Sequence, residues 1–153
     1  MKVNLTTTLS TRPERVWEEV QTSHLLEYVA APLVKVRAMN PPGLPKIWSD
    51  GTYEVKMMVL GWLPAGRHII RISRSKDGAA YLIRDNGGGQ LAKVWDHTIR
   101  ILSRRDGATE YTDTVEVQAG LLTPFVWAFA QVYYRHRQRR WRALVERGFE
   151  YGR

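Results

Sequence analysis

The chain has 153 residues, no cysteine, and 23 Lys plus Arg against 15 Asp plus Glu, a formal net charge of +8. That length suits one domain with a real core, taken as residues 1–153, and 44% hydrophobic with 25% charged residues marks a folded chain rather than a disordered one. The lack of cysteine excludes a disulfide scaffold, a thiolate-held zinc or iron–sulfur site and thiol catalysis, while the positive charge leaves nucleic acid, an anionic membrane and acidic ligands open.

Polar and charged residues return within the first ten positions, so no signal peptide is expected. The longest weakly polar run, Leu121 to Tyr134, is about fourteen residues, where a membrane-spanning helix needs roughly 20. A soluble, cytoplasmic protein is expected. Val3, Leu5, Thr7 and Leu9 alternate with polar residues and predict a half-buried strand. Thr11-Arg-Pro-Glu14 then reads as a helix start, with Thr11 as cap, Glu14 reaching back and Pro13 in the first turn. Val16, Trp17 and Val20 mark a short helix, and Leu25, Leu26 and Val29 a second that stops near Pro32.

Alternation resumes over 33–39, with Val34, Val36 and Ala38 on one parity. Three prolines and two glycines between Asn40 and Gly51 forbid a regular element there. Further strands are predicted around Tyr53-Val55-Met57-Val59, His68-Ile70-Ile72, Tyr81-Ile83-Asp85, Trp95-His97-Ile99-Ile101 and Tyr111-Asp113-Val115-Val117. Gly61–Gly66, Lys76-Asp-Gly78 and Arg105-Asp-Gly107 read as turns, and Gly87-Gly-Gly89 as a mobile connection. The period then changes. Leu122, Phe125, Val126, Phe129, Tyr133, Trp141 and Leu144 recur at helical spacing, predicting one amphipathic helix over about 122–147.

This order predicts an α+β fold: about seven strands in a curved antiparallel meander, two short helices after strand 1, and a long C-terminal helix covering one face. A curved sheet gripping a helix leaves a cavity suited to something small and apolar.

Several segments resemble the START/SRPBCC superfamily, the helix-grip fold of lipid-transfer domains and aromatic polyketide cyclases. They are Ser10-Thr-Arg-Pro-Glu-Arg-Val-Trp17, the loop through Gly51, Trp95-Asp-His97, Tyr111-Thr-Asp-Thr-Val-Glu116 and Arg135-His-Arg-Gln-Arg-Arg-Trp141. The resemblance covers nearly the whole chain. It implies a cavity that binds a hydrophobic small molecule such as a lipid, quinone, isoprenoid or polyketide, with many members non-catalytic and a minority cyclases, dehydratases or hydrolases. It implies no cofactor and no oligomeric state.

The predicted lining is Tyr53, Val55, Met57, Ile70, Tyr81, Ile83, Asp85, Trp95, Ile99, Val115, Phe125, Phe129 and Tyr133. His68, Asp85, His97 and Asp113 share the inward parity, and burying a charge unpaired is expensive. They either satisfy one another and a ligand head group, or His97, Asp113 and His68 serve as acid/base groups. A metal held by the two His and a carboxylate is a permitted ligand set but lacks any short metal-spacing motif, so no metal site is assigned. No GxSxG elbow supports serine catalysis.

Arg67, His68 and Arg84 are strand-end charges that solvent or an anionic ligand head can satisfy. Gly87–Gly89 and the loop 40–51, with Leu44, Ile47 and Trp48 as apolar tips, are the candidate gates. Segment 121–153 holds seven Arg and two Glu, so it carries most of the net charge. On a helical wheel Arg135, Arg139 and Arg142 oppose the apolar stripe, whereas Arg137 and Arg140 fall near it. This scatter favours arginines packed structurally on the fold over an anionic membrane surface, and nucleic acid least.

Overall fold

A computed structural model describes residues 1–152. Strand β1 (Lys2–Leu9) leads into helices α1 (Pro13–Val20) and α2 (Ser23–Ala30). Six strands follow: β2 (Val34–Asn40), β3 (Gly51–Val59), β4 (Leu63–Asp77), β5 (Ala80–Gly89), β6 (Val94–Ser103) and β7 (Thr109–Gln118). A single 3-10 turn, Gly120–Leu122, then opens helix α3 (Thr123–Glu146). All seven strands form one antiparallel sheet in the order β1-β7-β6-β5-β4-β3-β2. The first two strands in the chain are therefore the two edges of the sheet, and α1 and α2 carry the chain between them.

Alternation makes the strands one-sided. Along β7 the inward residues Tyr111, Asp113, Val115 and Val117 are all fully buried. Helix α3 lies across the β1–β7 side. Its first half packs Val126, Ala130, Tyr133 and Tyr134 against Val3, Val115 and Val117. Its second half packs Trp141, Leu144 and Val145 with Leu9, Val16, Val20, Leu25, Ile101 and Tyr111.

Polar side chains of α3 fix its position. Trp127 Nε1 donates to the Lys2 carbonyl at 2.7 Å, Gln138 Nε2 to Leu5 at 2.8 Å, and Arg142 to Thr7 Oγ1 at 2.7 Å. On the other flank His136 Nε2 bonds the Ala31 carbonyl at 2.8 Å, and Arg140 Nε donates to Tyr28 at 2.8 Å. Two of the crowded arginines thus hold the helix to its neighbours.

Three expectations change. The first helix is capped by Arg12 rather than Thr11, and no side-chain capping bond forms. Gly87-Gly-Gly89 is the end of β5, not a mobile connection. A Cβ would lie 2.1 Å from Ile69 O at Gly87, 2.2 Å from Lys93 O at Gly88 and 2.3 Å from Arg67 O at Gly89. The three glycines are there because backbone crosses their faces. The loop 40–51 is seated as well. Trp48 is 4% exposed, its N–H bonds the Gln21 carbonyl at 2.7 Å, and its ring meets Tyr53 edge-on. Of the proposed apolar tips only Ile47 is exposed.

Gly88→Ala is expected to destabilise the fold by about 2 kcal/mol or more, because the colliding atom is backbone and cannot swing aside. Gly152→Ala, which meets nothing, should leave stability unchanged. Denaturant titration of both variants checks this.

Candidate ligand-binding site

Between the sheet and α3 lie two adjacent cavities that share part of their lining. The inner chamber, about 100 Å³, is bounded by polar groups of His68, Asp85, His97, Tyr134 and Arg137 among apolar walls that include Ile70, Ile83, Ile99 and Trp48. The outer vestibule, about 640 Å³, is almost wholly apolar and includes Val59, Leu63, Leu91, Phe125 and Phe129. Val34, Met57, His68, Trp95 and Tyr133 border both and form the neck. The vestibule opens between the β3–β4 turn, the β5–β6 turn and the start of α3. Its rim is apolar: Phe125 is 75% exposed, beside exposed Leu63, Leu91 and Leu122.

The four inward ionisable groups separate into two kinds. His97 and Asp113 are bonded to each other, Nε2 to Oδ1 at 2.7 Å. Asp113 is 0% exposed, and its Oδ2 accepts from Gln138 of α3 at 2.9 Å. Burial pushes its carboxyl upward. The His97 bond, the nearby Arg137 charge and the Gln138 bond outweigh burial and hold it below the usual carboxylate range. Burial also keeps His97 below the usual histidine value, against the pull of Asp113, so it is a neutral donor to a carboxylate.

His68 and Asp85 face the chamber instead. Burial lowers His68 to about 4 and raises Asp85 to about 7, the latter against a backbone N–H from Arg71 at 2.7 Å. Tyr134 accepts from Trp95 Nε1 at 3.1 Å, closing the neck on one side.

Met57, Ile70, Ile83, Asp85, Trp95, Ile99, Phe125, Phe129 and Tyr133 of the predicted lining border one cavity or both. Tyr53, Val55, Tyr81 and Val115 do not. Tyr53 is drawn to Ser49, its hydroxyl 2.9 Å from that Oγ. Val55 and Val115 are sealed in the core, and Tyr81 stacks on Trp17. Asp113 likewise lies behind His97 rather than on the cavity wall. Arg67 lines the vestibule with its head near Glu54. Arg84 is on the opposite sheet face, paired with Asp96 at 2.6 Å. Neither gate candidate frames the mouth. No group of three or more His, Asp or Glu side chains able to hold a metal occurs among the described residues, and no described helix is long and apolar enough to cross a membrane.

Arg137 is the charged lining residue of the inner chamber that the predicted set lacks, beside apolar additions such as Val34 and Ile72. Its signal was its place on the wheel: it follows Tyr133 and precedes Trp141 at intervals of four, on the apolar side of the helix.

A curved antiparallel sheet closed by a C-terminal helix over a cavity defines the helix-grip fold of the START/SRPBCC class. The chain belongs to the family described as "Domain of unknown function (DUF8410)", whose model matches residues 7–145. Solved structures share the fold. A START superfamily protein from Mycobacterium smegmatis is 14% identical with a TM-score of 0.66, covering 95% of this chain and 97% of that one. The Zhui aromatase/cyclase from Streptomyces sp. R1128 is 15% identical with a TM-score of 0.61, covering 98% and 96%. A protein from Chromobacterium violaceum is 17% identical with a TM-score of 0.66, covering 95% and 96%. No curated protein matches the chain.

Two predictions follow from the buried groups. Asp113→Ala leaves His97 and Gln138 without their acceptor and Arg137 without a nearby negative charge, and should cost about 3 kcal/mol in denaturant titration. His68 has a folded pKa of about 4 against the ordinary 6.5, so its contribution is present above pH 6.5 and is lost as pH falls towards 4. His68→Leu should therefore remove about 3 kcal/mol of the stability lost between those values, read as a flatter pH profile of the unfolding midpoint.

Proposed function

We propose that this protein, acting as one domain, encloses a hydrophobic small molecule, with the apolar body in the vestibule and a polar end in the inner chamber. The observation that carries this is the adjacency of the two cavities, which share the five residues of the neck, mostly apolar outside and more polar within. Supporting it, the fold is that of a START superfamily protein and an aromatase/cyclase. The exposed apolar rim also fits an entrance for a ligand that avoids water. A lipid, quinone, isoprenoid or polyketide meets this description.

A second reading, acid–base chemistry on the bound molecule, is favoured by one observation. Asp85, raised to about 7 in the chamber, is poised to exchange a proton near neutral pH, and neutral His68 borders the same space. His97 and Asp113, already committed to each other, serve this reading as positioning groups. The arginine-rich helix does not favour a membrane or nucleic-acid role, since Arg137 is buried and Arg140 and Arg142 bond within the fold.

Met57 is partly exposed and borders both cavities, so Met57→Trp should block the neck with little loss of stability. Wild-type protein should bind an apolar fluorophore and retain lipid-extract components in native mass spectrometry, and the variant should bind at least tenfold more weakly, about 1.4 kcal/mol. Wild-type protein that retains nothing from either source overturns the reading.

A further inference from the structure

Arg137 is 5% exposed and is the one Lys or Arg among the described residues that lines the inner chamber. A guanidinium has five N–H donors and no way to lose its charge near neutral pH. Here Nη2 donates to the Tyr111 hydroxyl at a long 3.4 Å, while Nε is wholly buried with no partner. Its Cζ sits 5.4 Å from the centre of the Tyr134 ring, a contact that supplies no acceptor. The carboxylate nearest in role, Asp113, is engaged by His97 on one oxygen and Gln138 on the other. It reaches Arg137 through the Tyr111 hydroxyl, which donates to Asp113 Oδ1 at 3.4 Å. A buried cation with an idle donor and no direct counter-ion is costly to keep.

The other groups around the chamber do not supply the missing counter-charge. His68 and His97 are both held neutral by burial and carry no charge to offer, and His97 Nε2 is spent on Asp113. Asp85 lines the same chamber, but one of its oxygens is taken by the Arg71 N–H. With a pKa of about 7 it can take up a proton, and so lose its charge, when another anion enters. Carboxylate and phosphate both match a guanidinium in charge and two-pronged geometry; the carboxylate is the smaller and suits a chamber of about 100 Å³, and hydrocarbon is what the vestibule accommodates.

We propose that the inner chamber receives the carboxylate of an amphipathic acid, paired with Arg137, while the acid's apolar body passes the neck at Trp95 and Tyr133 into the vestibule. This rests on the reading of the cavity as a hydrophobic binding site and adds the chemical class of the head group.

The experiment measures wild-type affinity for two matched pairs by calorimetry: dodecanoate against dodecanol, and 2-naphthylacetate against 2-naphthylethanol. In at least one pair the acid should bind about tenfold or more tightly than the alcohol. Arg137→Met, checked for folding by circular dichroism, should lose that preference and keep the alcohol's affinity. Because that variant removes a core residue, carboxyl-13C dodecanoate bound to wild-type protein gives an independent measurement. Its carboxyl resonance should show protonation at a lower pH than in water. Acids and alcohols that bind wild-type protein equally overturn the inference and leave the hydrophobic site standing. So does a bound acid that protonates at higher pH than in water, or an acid preference that survives in Arg137→Met. Failure of all four compounds to bind overturns the inference together with the reading beneath it.

Discussion

The position of the long helix depends on one buried carboxylate. Asp113 has no exposure to solvent, and its charge persists because donors converge on it from β6, through His97, and from α3, through Gln138. Apolar packing is non-directional and tolerates a helix that slides or rolls by a few degrees. Hydrogen bonds to a buried carboxylate do not tolerate this, since a lost donor leaves charge uncompensated in a low-dielectric interior. Gln138 binds both Asp113 and the Leu5 carbonyl, so it sets the helix against two strands at once. Once it is fixed, its neighbour Arg137 has to turn toward the sheet, and Tyr133 and Tyr134, a turn earlier, have to face the cavity.

The cavity follows from an uneven fit between a straight helix and a curved sheet. The C-terminal half of α3 meets the sheet closely, with Trp141 and Leu144 fully buried among residues of β1, α1, α2 and β7. Trp48, delivered by the loop before β3, seals that end of the space. Toward the N-terminal half, nothing comparable bridges from α3 to β3 and β4, and the gap opens to solvent through a rim of Leu63, Leu91, Leu122 and Phe125. Polarity grades along the same axis. Ionisable groups lie deep, where the strands of the sheet's middle turn their inner faces toward the helix, and hydrocarbon lies at the mouth.

Strand parity was legible in the chain because each inward set has a period of two and is interrupted only at turns. His68, Asp85, His97 and Asp113 all point inward as their positions imply. Parity does not say what an inward residue meets. Val115 faces α3 and is sealed, whereas Ile99, also inward on the adjacent strand, borders the chamber. The distinction depends on where the helix crosses, which no local pattern encodes. Gly87–Gly89 was misleading for a related reason. Glycine signals either a free backbone or a crowded one, and only the passage of Arg67, Ile69 and Lys93 across those faces makes it the second. Arg137 carried a correct positional signal, yet an arginine on an apolar stripe usually extends its head to water. Its burial is a tertiary fact, produced by the aromatic side chains around it and by the placement of Gln138.

The contacts between α3 and β1 have a further effect, outside the cavity. β1 is an edge strand, and such a strand normally presents free carbonyls that invite pairing by another chain. Here the indole N–H of Trp127 occupies the carbonyl of Lys2, which points away from β7. The bond that anchors the start of the helix also takes one acceptor away from an incoming eighth strand, so the element that shapes the binding space also caps part of this margin of the sheet.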